Sequence, residues 1–288
     1  MSRIHLTDRQ WAFICPLVPP PARTGRPRAD DRRTIEGILY ILITGCRWQD
    51  LPREYGAPTT VWRRLRRWGE EGVWERIWRV ALAALDRQGQ LDWTMAFLDG
   101  SFAPAKKGGD KVGLTKKGKG TKWMLVIDGN GLPLGFHLDS AQVAEVRLAE
   151  RTLDTISVAR PRGRPRQRPE KLVADRGYDS SAFRRALRRR GIRMCIPPKR
   201  RPKKWRAKRG RPVIARKDDY RLRYKVEIVH PQMTKPDGGT VAAGGEDVAN
   251  LHVTIGNNDA INEEFDERAS LVEGRLLQAH AHLSTEIV

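Results

Sequence analysis

The chain has 288 residues, enough for two domains at about 150 residues per domain, and a formal net charge of +21. No stretch approaches the roughly 18 consecutive apolar residues of a membrane-spanning helix, and the first residues lack the apolar core of a signal peptide. Cys15, Cys46 and Cys195 are far apart and lack CxxC spacing, which argues against a disulfide framework or a zinc site. We therefore expect a cytoplasmic protein that does not contact a membrane.

The positive charge lies in the first part of the chain. Residues 228–288 hold three Lys or Arg and ten Asp or Glu, a net charge of −7, so residues 1–227 carry +28. Such a surplus favours a polyanionic partner, most simply nucleic acid. The alternative is a highly charged surface that only meets solvent. All nine tryptophans lie before residue 206, so the composition changes near Glu227.

The first 90 residues predict helices joined by short turns. Thr7 and Gln10 match a capping box at the start of the first helix, and Leu6 and Trp11 are placed as a hydrophobic staple. Apolar residues at helical spacing predict a second helix that stops at Gly45. A long amphipathic helix is predicted from residue 73.

Between these helices, a short helix capped by Thr59 has one apolar and one basic face. Val61, Leu65 and Trp68 form the apolar face. Four arginines form the other face and are DNA-binding candidates: Arg63, Arg64, Arg66 and Arg67. Helices joined by short turns, one with such a face, are typical of a helix-turn-helix reader of the major groove. An ordinary solvated helix face is the alternative.

From residue 93 the pattern predicts a mixed α/β sheet. A strand over 94–98 precedes a segment rich in Lys and Gly, and a hairpin follows around the turn at 128–131. A helix over 141–156, a strand over 172–174, a helix over 180–190 and a strand over 192–196 complete the sheet. The lysine-rich segment supplies further DNA-binding candidates: Lys116, Lys117, Lys119 and Lys122.

Two predicted strands each end in an aspartate. Asp99 follows the strand over 94–98, Asp175 follows the strand over 172–174, and a turn containing Gly comes after each. Ligand chemistry in open α/β sheets collects at the carboxyl ends of strands, so two such aspartates on one sheet can share a divalent metal ion. Asp and Gly also suit ordinary turns, which is the alternative.

The cationic connectors repeat a short motif. Arg-Gly-Arg-Pro occurs at residues 162–165 and 209–212. Its arginines are assigned to DNA binding: Arg162, Arg164, Arg209 and Arg211. A flat strip of this kind fits a narrow A·T-rich minor groove, where negative potential draws arginine. A flexible cationic loop that binds phosphates without reading shape fits the four residues as well.

A third acid completes a known pattern. Asp218 or Asp219 is predicted to cap a helix in which Tyr220, Arg223 and Glu227 lie on one face. This Tyr-x2-Arg-x3-Glu spacing, downstream of two strand-end aspartates, resembles the signature of bacterial insertion-sequence transposases of the DDE class. The likeness is to the group numbered five among insertion sequences, and it covers residues 4–227. Five segments carry it besides the spacing: 6–11, 48–52, 98–101, 106–122 and 174–179.

The resemblance implies a ribonuclease H-like catalytic domain at residues 91–227, preceded by a small helical DNA-binding domain at 1–90. It also implies that Asp99, Asp175 and Glu227 are the catalytic acids and hold two Mg²⁺ ions, with Mn²⁺ as a substitute. Close carboxylates raise one another's pKa and cannot all stay ionised without cations. Arg223 would contact a DNA phosphate, with helix packing and an i,i+4 pair with Glu227 as the alternative.

The implied function is metal-dependent cleavage of double-stranded DNA at insertion-sequence terminal repeats, followed by strand transfer into target DNA. Two metals about 4 Å apart would serve the attacking and the leaving oxygen. Because two ends must be joined, the resemblance implies a homodimer or higher synaptic assembly on the nucleoid. Two other functions stay open: a decayed transposase that only binds specific DNA, and a metal-dependent nuclease that does not join strands.

The sequence departs from the family pattern after Glu227. The family has a lysine seven positions after this glutamate, where this chain has Thr234, with Lys235 one step late. Pro231 should break the helix, because it lacks the N–H that a helical hydrogen bond needs. We expect residues 228–288 to be a poorly ordered acidic tail from another reading frame or a fused sequence, which would weaken catalysis.

Overall fold

The computed structural model describes residues 4–105, 111–199 and 217–226. Within these ranges the chain forms two compact units, one up to Ala81 and one from Leu82 onward. The predictions for Arg209, Arg211, Glu227 and residues 228–288 lie outside the described residues. No helix among those described is long and apolar enough to cross a membrane.

The first unit is helical, and its ends follow the local sequence signals. Its helices are α1 (Asp8–Ile14), α2 (Asp31–Thr44), α3 (Pro58–Glu70) and the first part of α4 (Val73–Arg87). The predicted capping box is present, since Thr7 Oγ1 accepts from the Gln10 N–H and Gln10 Oε1 accepts from the Thr7 N–H. Gly45 ends α2 in the left-handed conformation, with φ 65°.

The predicted cap at Thr59 is wrong. Helix α3 begins at Pro58, after Ala57, so Thr59 lies inside its first turn. Proline suits the first helical position because its fixed φ is already helical and its missing N–H has no partner there in any helix.

Helices α2 and α3 pack through the predicted apolar face. Val61, Leu65 and Trp68 are all buried. At Gly37 in α2, an added Cβ would lie 2.9 Å from Tyr55 Cβ and 3.4 Å from Val61 Cγ1. A glycine at this point therefore lets the neighbouring residues approach α2 closely.

The second unit is a mixed sheet with helices, as predicted. The strands are β1 (Ala96–Pro104), β2 (Gly113–Thr115), β3 (Gly118–Asp128), β4 (Pro133–Ser140), β5 (Lys171–Ala174) and β6 (Arg193–Cys195). The helices are the rest of α4, α5 (Glu145–Asp154), α6 (Ser181–Arg189) and α7 (Lys217–Arg221). The strand order is β4–β3–β1–β5–β6, and β2 also pairs with β3. Strand β1 is antiparallel to β3 and parallel to β5.

Two local predictions are corrected by the sheet and by the C-terminal segment. Strand β1 does not end at Asp99 but runs to Pro104, because β3 continues to pair with it there. The helix predicted from Asp218 begins at Lys217 and stops at Arg221, and a turn at 222–223 precedes helical residues 224–226. Tyr220 and Arg223 therefore do not share one regular helix.

Candidate active site

The register of β1 and β5 brings two predicted acids to neighbouring positions. Leu98 is paired with Ala174, which is the last residue pair of these parallel strands. Asp99 and Asp175 each come one residue later. Residues at equivalent positions of neighbouring strands point to the same face of a sheet. The fold therefore places these two residues at neighbouring positions at one end of the parallel pair.

The Asp99 side chain faces a cation from the C-terminal segment. Its Oδ1 accepts a hydrogen bond of 2.9 Å from the Gly100 N–H, and its Oδ2 lies 3.5 Å from Arg223 Nη2. The Arg223 guanidinium also lies 3.3 Å from the Tyr220 hydroxyl. The side chains of Asp99 and Arg223 are 18% and 21% exposed. A ligand can therefore reach both charges from solvent.

Asp175 forms a turn and also keeps an oxygen available. It caps a single 3₁₀ turn at Arg176–Tyr178, with Oδ1 accepting a hydrogen bond of 2.6 Å from the Gly177 N–H. Among the described residues, Oδ2 has no hydrogen-bond partner. Asp175 can therefore form the turn through Oδ1 and bind a metal ion through Oδ2.

The opposite face of β1 carries a polar cluster that sequence reasoning missed. The Tyr178 hydroxyl donates to Glu145 Oε2 at 3.4 Å, and Lys122 Nζ lies 3.6 Å from Glu145 Oε1. An added Cβ at Gly100 would lie 3.3 Å from the Tyr178 oxygen and 2.5 Å from Met124 Sδ. Gly100 is therefore required in mid-strand because the cluster and Met124 occupy the space of a side chain.

Burial raises the pKa of the Tyr178 hydroxyl, and the negative charges of Glu145, Asp99 and Asp175 raise it further. The hydroxyl consequently stays protonated and donates its hydrogen bond to Glu145. The only sequence signal for Glu145 was its place in a predicted helix, which does not distinguish it from other helical acids.

Two lysines hold the C-terminal segment against the sheet. Lys171 Nζ lies 2.7 Å from Asp219 Oδ2, and Lys225 Nζ donates to the Gly129 carbonyl at 2.5 Å. Val226 is fully buried. Glu227 is the next residue after Val226, and its own position is outside the described residues.

The four arginines of α3 do not form one DNA-facing surface. Arg63, Arg66 and Arg67 are exposed, and the latter two pair along the helix with Glu70 and Glu71. Arg64 is only 12% exposed, lies 2.9 Å from Asp31 and stacks 5.1 Å from the Trp68 ring centre. Burial lowers the Arg64 pKa, while Asp31 opposes this shift. Arg64 therefore serves the fold of the first unit.

The lysine candidates also separate into two groups. Lys116, Lys117 and Lys119 are exposed near the turn between β2 and β3. Lys122 is 15% exposed on its side chain and donates to the Val143 carbonyl at 3.0 Å. Lys122 thus belongs to the Glu145 cluster. Arg162 and Arg164 are exposed in the loop before β5.

The described residues contain no group of three or more His, Cys, Asp or Glu arranged to hold a metal ion. Asp99 and Asp175 nevertheless offer the oxygen ligands that Mg²⁺ prefers. The third predicted ligand, Glu227, lies outside the described part of the chain. The two aspartates therefore fit a divalent metal as a partial ligand set.

Two family models match the chain. Residues 91–243 match a model described as "Transposase DDE domain", and this range includes the sheet. Residues 6–78 match a model described as "Putative transposase of IS4/5 family". The chain belongs to the IS4/5 family of DDE transposases, which confirms the resemblance drawn from the sequence. The match to the DDE domain also extends 16 residues beyond Glu227.

Two curated relatives come from one insertion element, IS402. The chain is 40% identical over 122 residues to the insertion element IS402 uncharacterized 16.2 kDa protein of Burkholderia cepacia, covering 40% of this chain and 83% of that protein. It is 46% identical over 82 residues to the putative transposase for insertion sequence element IS402 from the same organism, covering 28% of this chain and 39% of that protein. Among solved structures, a piggyBac transposase synaptic complex with hairpin DNA aligns with a TM-score of 0.38 at 13% identity, over 70% of this chain and 50% of that one.

Proposed function

We propose that this protein binds the terminal repeats of its insertion sequence, cleaves DNA at their ends and transfers the strand into target DNA. The observation that carries the proposal is the β1–β5 register, which sets Asp99 and Asp175 side by side with Arg223 at 3.5 Å from Asp99. The second unit then acts as a ribonuclease H-like catalytic domain, and the helical unit recognises the repeat. The protein works on the nucleoid as a homodimer or larger assembly, because two ends must be held together.

Asp99, Asp175 and Glu227 would hold two Mg²⁺ ions, or Mn²⁺ in their place. When bound, such ions supply Lewis-acid activation of the attacking oxygen and stabilise charge on the leaving oxygen. Asp175 Oδ2, with no hydrogen-bond partner among the described residues, and the solvent-accessible Asp99 carboxylate are the available ligand atoms.

Arg223 orients the DNA in this proposal. Its guanidinium can donate two parallel hydrogen bonds to a phosphate, a geometry that lysine lacks. Asp99 holds the guanidinium from one side, and the Tyr220 hydroxyl lies against it. The Lys171–Asp219 and Lys225–Gly129 contacts fix the segment that carries Arg223. The exposed Lys116, Lys117 and Lys119 add sequence-independent attraction for the DNA backbone.

The test uses duplex DNA carrying the element's own ends, labelled on one strand and incubated with protein and Mg²⁺ or Mn²⁺. Wild-type protein should nick at the ends and join them to target DNA. Asp99→Asn and Asp175→Asn should bind the ends but neither nick nor join. Asp154→Asn is the matched control, because this aspartate is 63% exposed and pairs with Arg190 on the surface. Equal activity in wild type and both site variants would refute the assignment.

A protein that binds the ends without catalysis is the second candidate. The observation that favours it is the departure from the family pattern after Glu227, including Pro231. Binding without nicking by the wild type would support this candidate. Nicking without joining would instead indicate a plain nuclease.

A further inference from the structure

The segment between α5 and β5 forms a loop that presents arginines to solvent. Residues 159–165 are all exposed, and they include Arg160, Arg162 and Arg164. None of the three has an acidic partner within the part of the chain that the structure describes. Other arginines of the second unit do have one, as in the pairs Arg184–Asp179 and Arg193–Glu170.

The base of this arginine loop is held closed. Val158 and Arg166 exchange two backbone hydrogen bonds, of 2.9 and 2.8 Å. Val158 is fully buried, and the Arg166 guanidinium stacks 4.4 Å from the Trp93 ring centre and lies 3.9 Å from Asp86. The two ends of the loop are therefore anchored in the core of the unit, so the loop has a defined direction.

The tip of the arginine loop has a defined shape. Gly163 adopts φ 87°, a conformation that other residues rarely take, and no atom lies within 4 Å of the position of an added Cβ. Pro161 and Pro165 flank it and fix their own φ angles. A loop restrained in this way loses little conformational freedom on binding. These features favour shape readout over the flexible-loop alternative left open by the sequence.

We propose that the arginine loop inserts Arg162 and Arg164 into the minor groove of A·T-rich DNA. The groove is about 6 Å wide and excludes most folded elements, whereas the tip of this loop carries no side chain at Gly163 and has an exposed arginine on each side. The negative potential of narrow A·T tracts favours arginine in particular. The inference deepens the proposed function, since it rests on DNA being the partner, and it assigns a base-composition preference to the second unit.

The experiment measures binding of the full-length protein to three duplexes of equal length, built from A·T, G·C or inosine–cytosine pairs. Inosine–cytosine pairs keep the major-groove acceptors of G·C but lack its minor-groove amino group. Minor-groove reading predicts that A·T and inosine–cytosine duplexes bind about tenfold more tightly than G·C. Netropsin, an A·T minor-groove ligand, should compete with the protein.

Two variants test the loop itself. Arg162→Lys/Arg164→Lys keeps the charge and should lower the preference to about threefold or less, because lysine is more strongly hydrated than arginine. Gly163→Ala keeps both arginines and should lower the preference too, because alanine strains the tip. Arg185→Lys/Arg189→Lys is the matched control on the exposed side of α6 and should leave the preference unchanged.

Every outcome of these experiments either supports or overturns the inference. If inosine–cytosine DNA behaves like G·C, or if all three duplexes bind equally, the inference is overturned while the proposed function stands. If the preference is present but survives both loop variants, the loop is not its source and the inference fails. If no duplex binds, the proposed function fails as well. Tighter binding to single-stranded RNA than to any duplex would also overturn the inference.

Discussion

Arg223 Nη2 lies 3.5 Å from Asp99 Oδ2, although the two residues are 124 positions apart in the chain. The contact joins the C-terminal segment to the middle of β1. A charge pair that is about one-fifth exposed adds little to stability, on the order of 1 kcal/mol. The pair instead places the Arg223 guanidinium next to a carboxylate that is proposed to bind metal.

Arg223→Gln should therefore reduce strand cleavage strongly and stability little. A lost hydrogen bond to a charged group costs about 1.5–3 kcal/mol, equivalent to roughly ten- to hundredfold in rate. Single-turnover cleavage and thermal unfolding should be measured on the same samples. Tyr220→Phe removes only the hydroxyl that contacts Arg223, so it should reduce cleavage less than Arg223→Gln does. A wild-type rate in Arg223→Gln would remove this residue from the mechanism.

The charge pair between Lys171 and Asp219 predicts a rescue by exchange. Lys171→Asp or Asp219→Lys alone places like charges where the atoms were 2.7 Å apart, so each should loosen the segment from residue 217 to 226 and lower cleavage. The double variant Lys171→Asp/Asp219→Lys should recover a large part of the activity. Hydrogen exchange of residues 217–226 provides the structural measurement. Additive losses in the double variant would show that the pair does not position this segment.

Asp128 predicts a specific pH dependence of stability. Its carboxylate is fully buried and accepts backbone hydrogen bonds from Asn130 and Leu132 through Oδ1 and from Asp92 through Oδ2. Burial raises the pKa of this carboxyl to about 6, from 3.8, against the opposing effect of these hydrogen bonds. The folded state therefore binds the proton more tightly than the unfolded state does.

It follows that the stabilising contribution of protonated Asp128 is complete below about pH 4 and is lost as the pH rises through about 6. Over this range the contribution of Asp128 to the free energy of unfolding falls by about 3 kcal/mol. Asp128→Asn does not titrate, so the difference in unfolding free energy between wild type and this variant should fall by that amount between about pH 4 and pH 7. Denaturant titrations at several pH values give the difference. Parallel curves for the two proteins would contradict the assignment.

Arg64 and Arg67 should give opposite results although they are neighbours on α3. Arg64→Ala removes the contacts with Asp31 and Trp68 and should lower the unfolding free energy by about 1–3 kcal/mol. Arg67→Ala removes an exposed pair with Glu71 and should leave stability almost unchanged while weakening DNA binding. Thermal unfolding and binding at two salt concentrations separate the effects. If the two variants are equally stable, Arg64 would again be a candidate for DNA binding.

Local signals in the sequence determined much of the fold. The Thr7–Gln10 capping box and the stop at Gly45 depend on atoms a few residues apart, so they can be read without the fold. The same holds for the hairpin between β3 and β4. The acids of the site were predicted from the short apolar strands that precede them, and the family from the spacing of Tyr220, Arg223 and Glu227.

Only the tertiary structure decided which of these residues act together. Strand β1 continues past Asp99 because β3 supplies its hydrogen-bond partners, and no local pattern contains that information. The Arg64 side chain lies inward because it pairs with Asp31. Asp31 is 33 positions away in the chain, so no local pattern predicts this pair. The Tyr178–Glu145 contact likewise joins two elements whose separate sequences look ordinary. Periodicity and capping report interactions within a few residues, whereas the site is built from contacts between strands and helices that are distant in sequence.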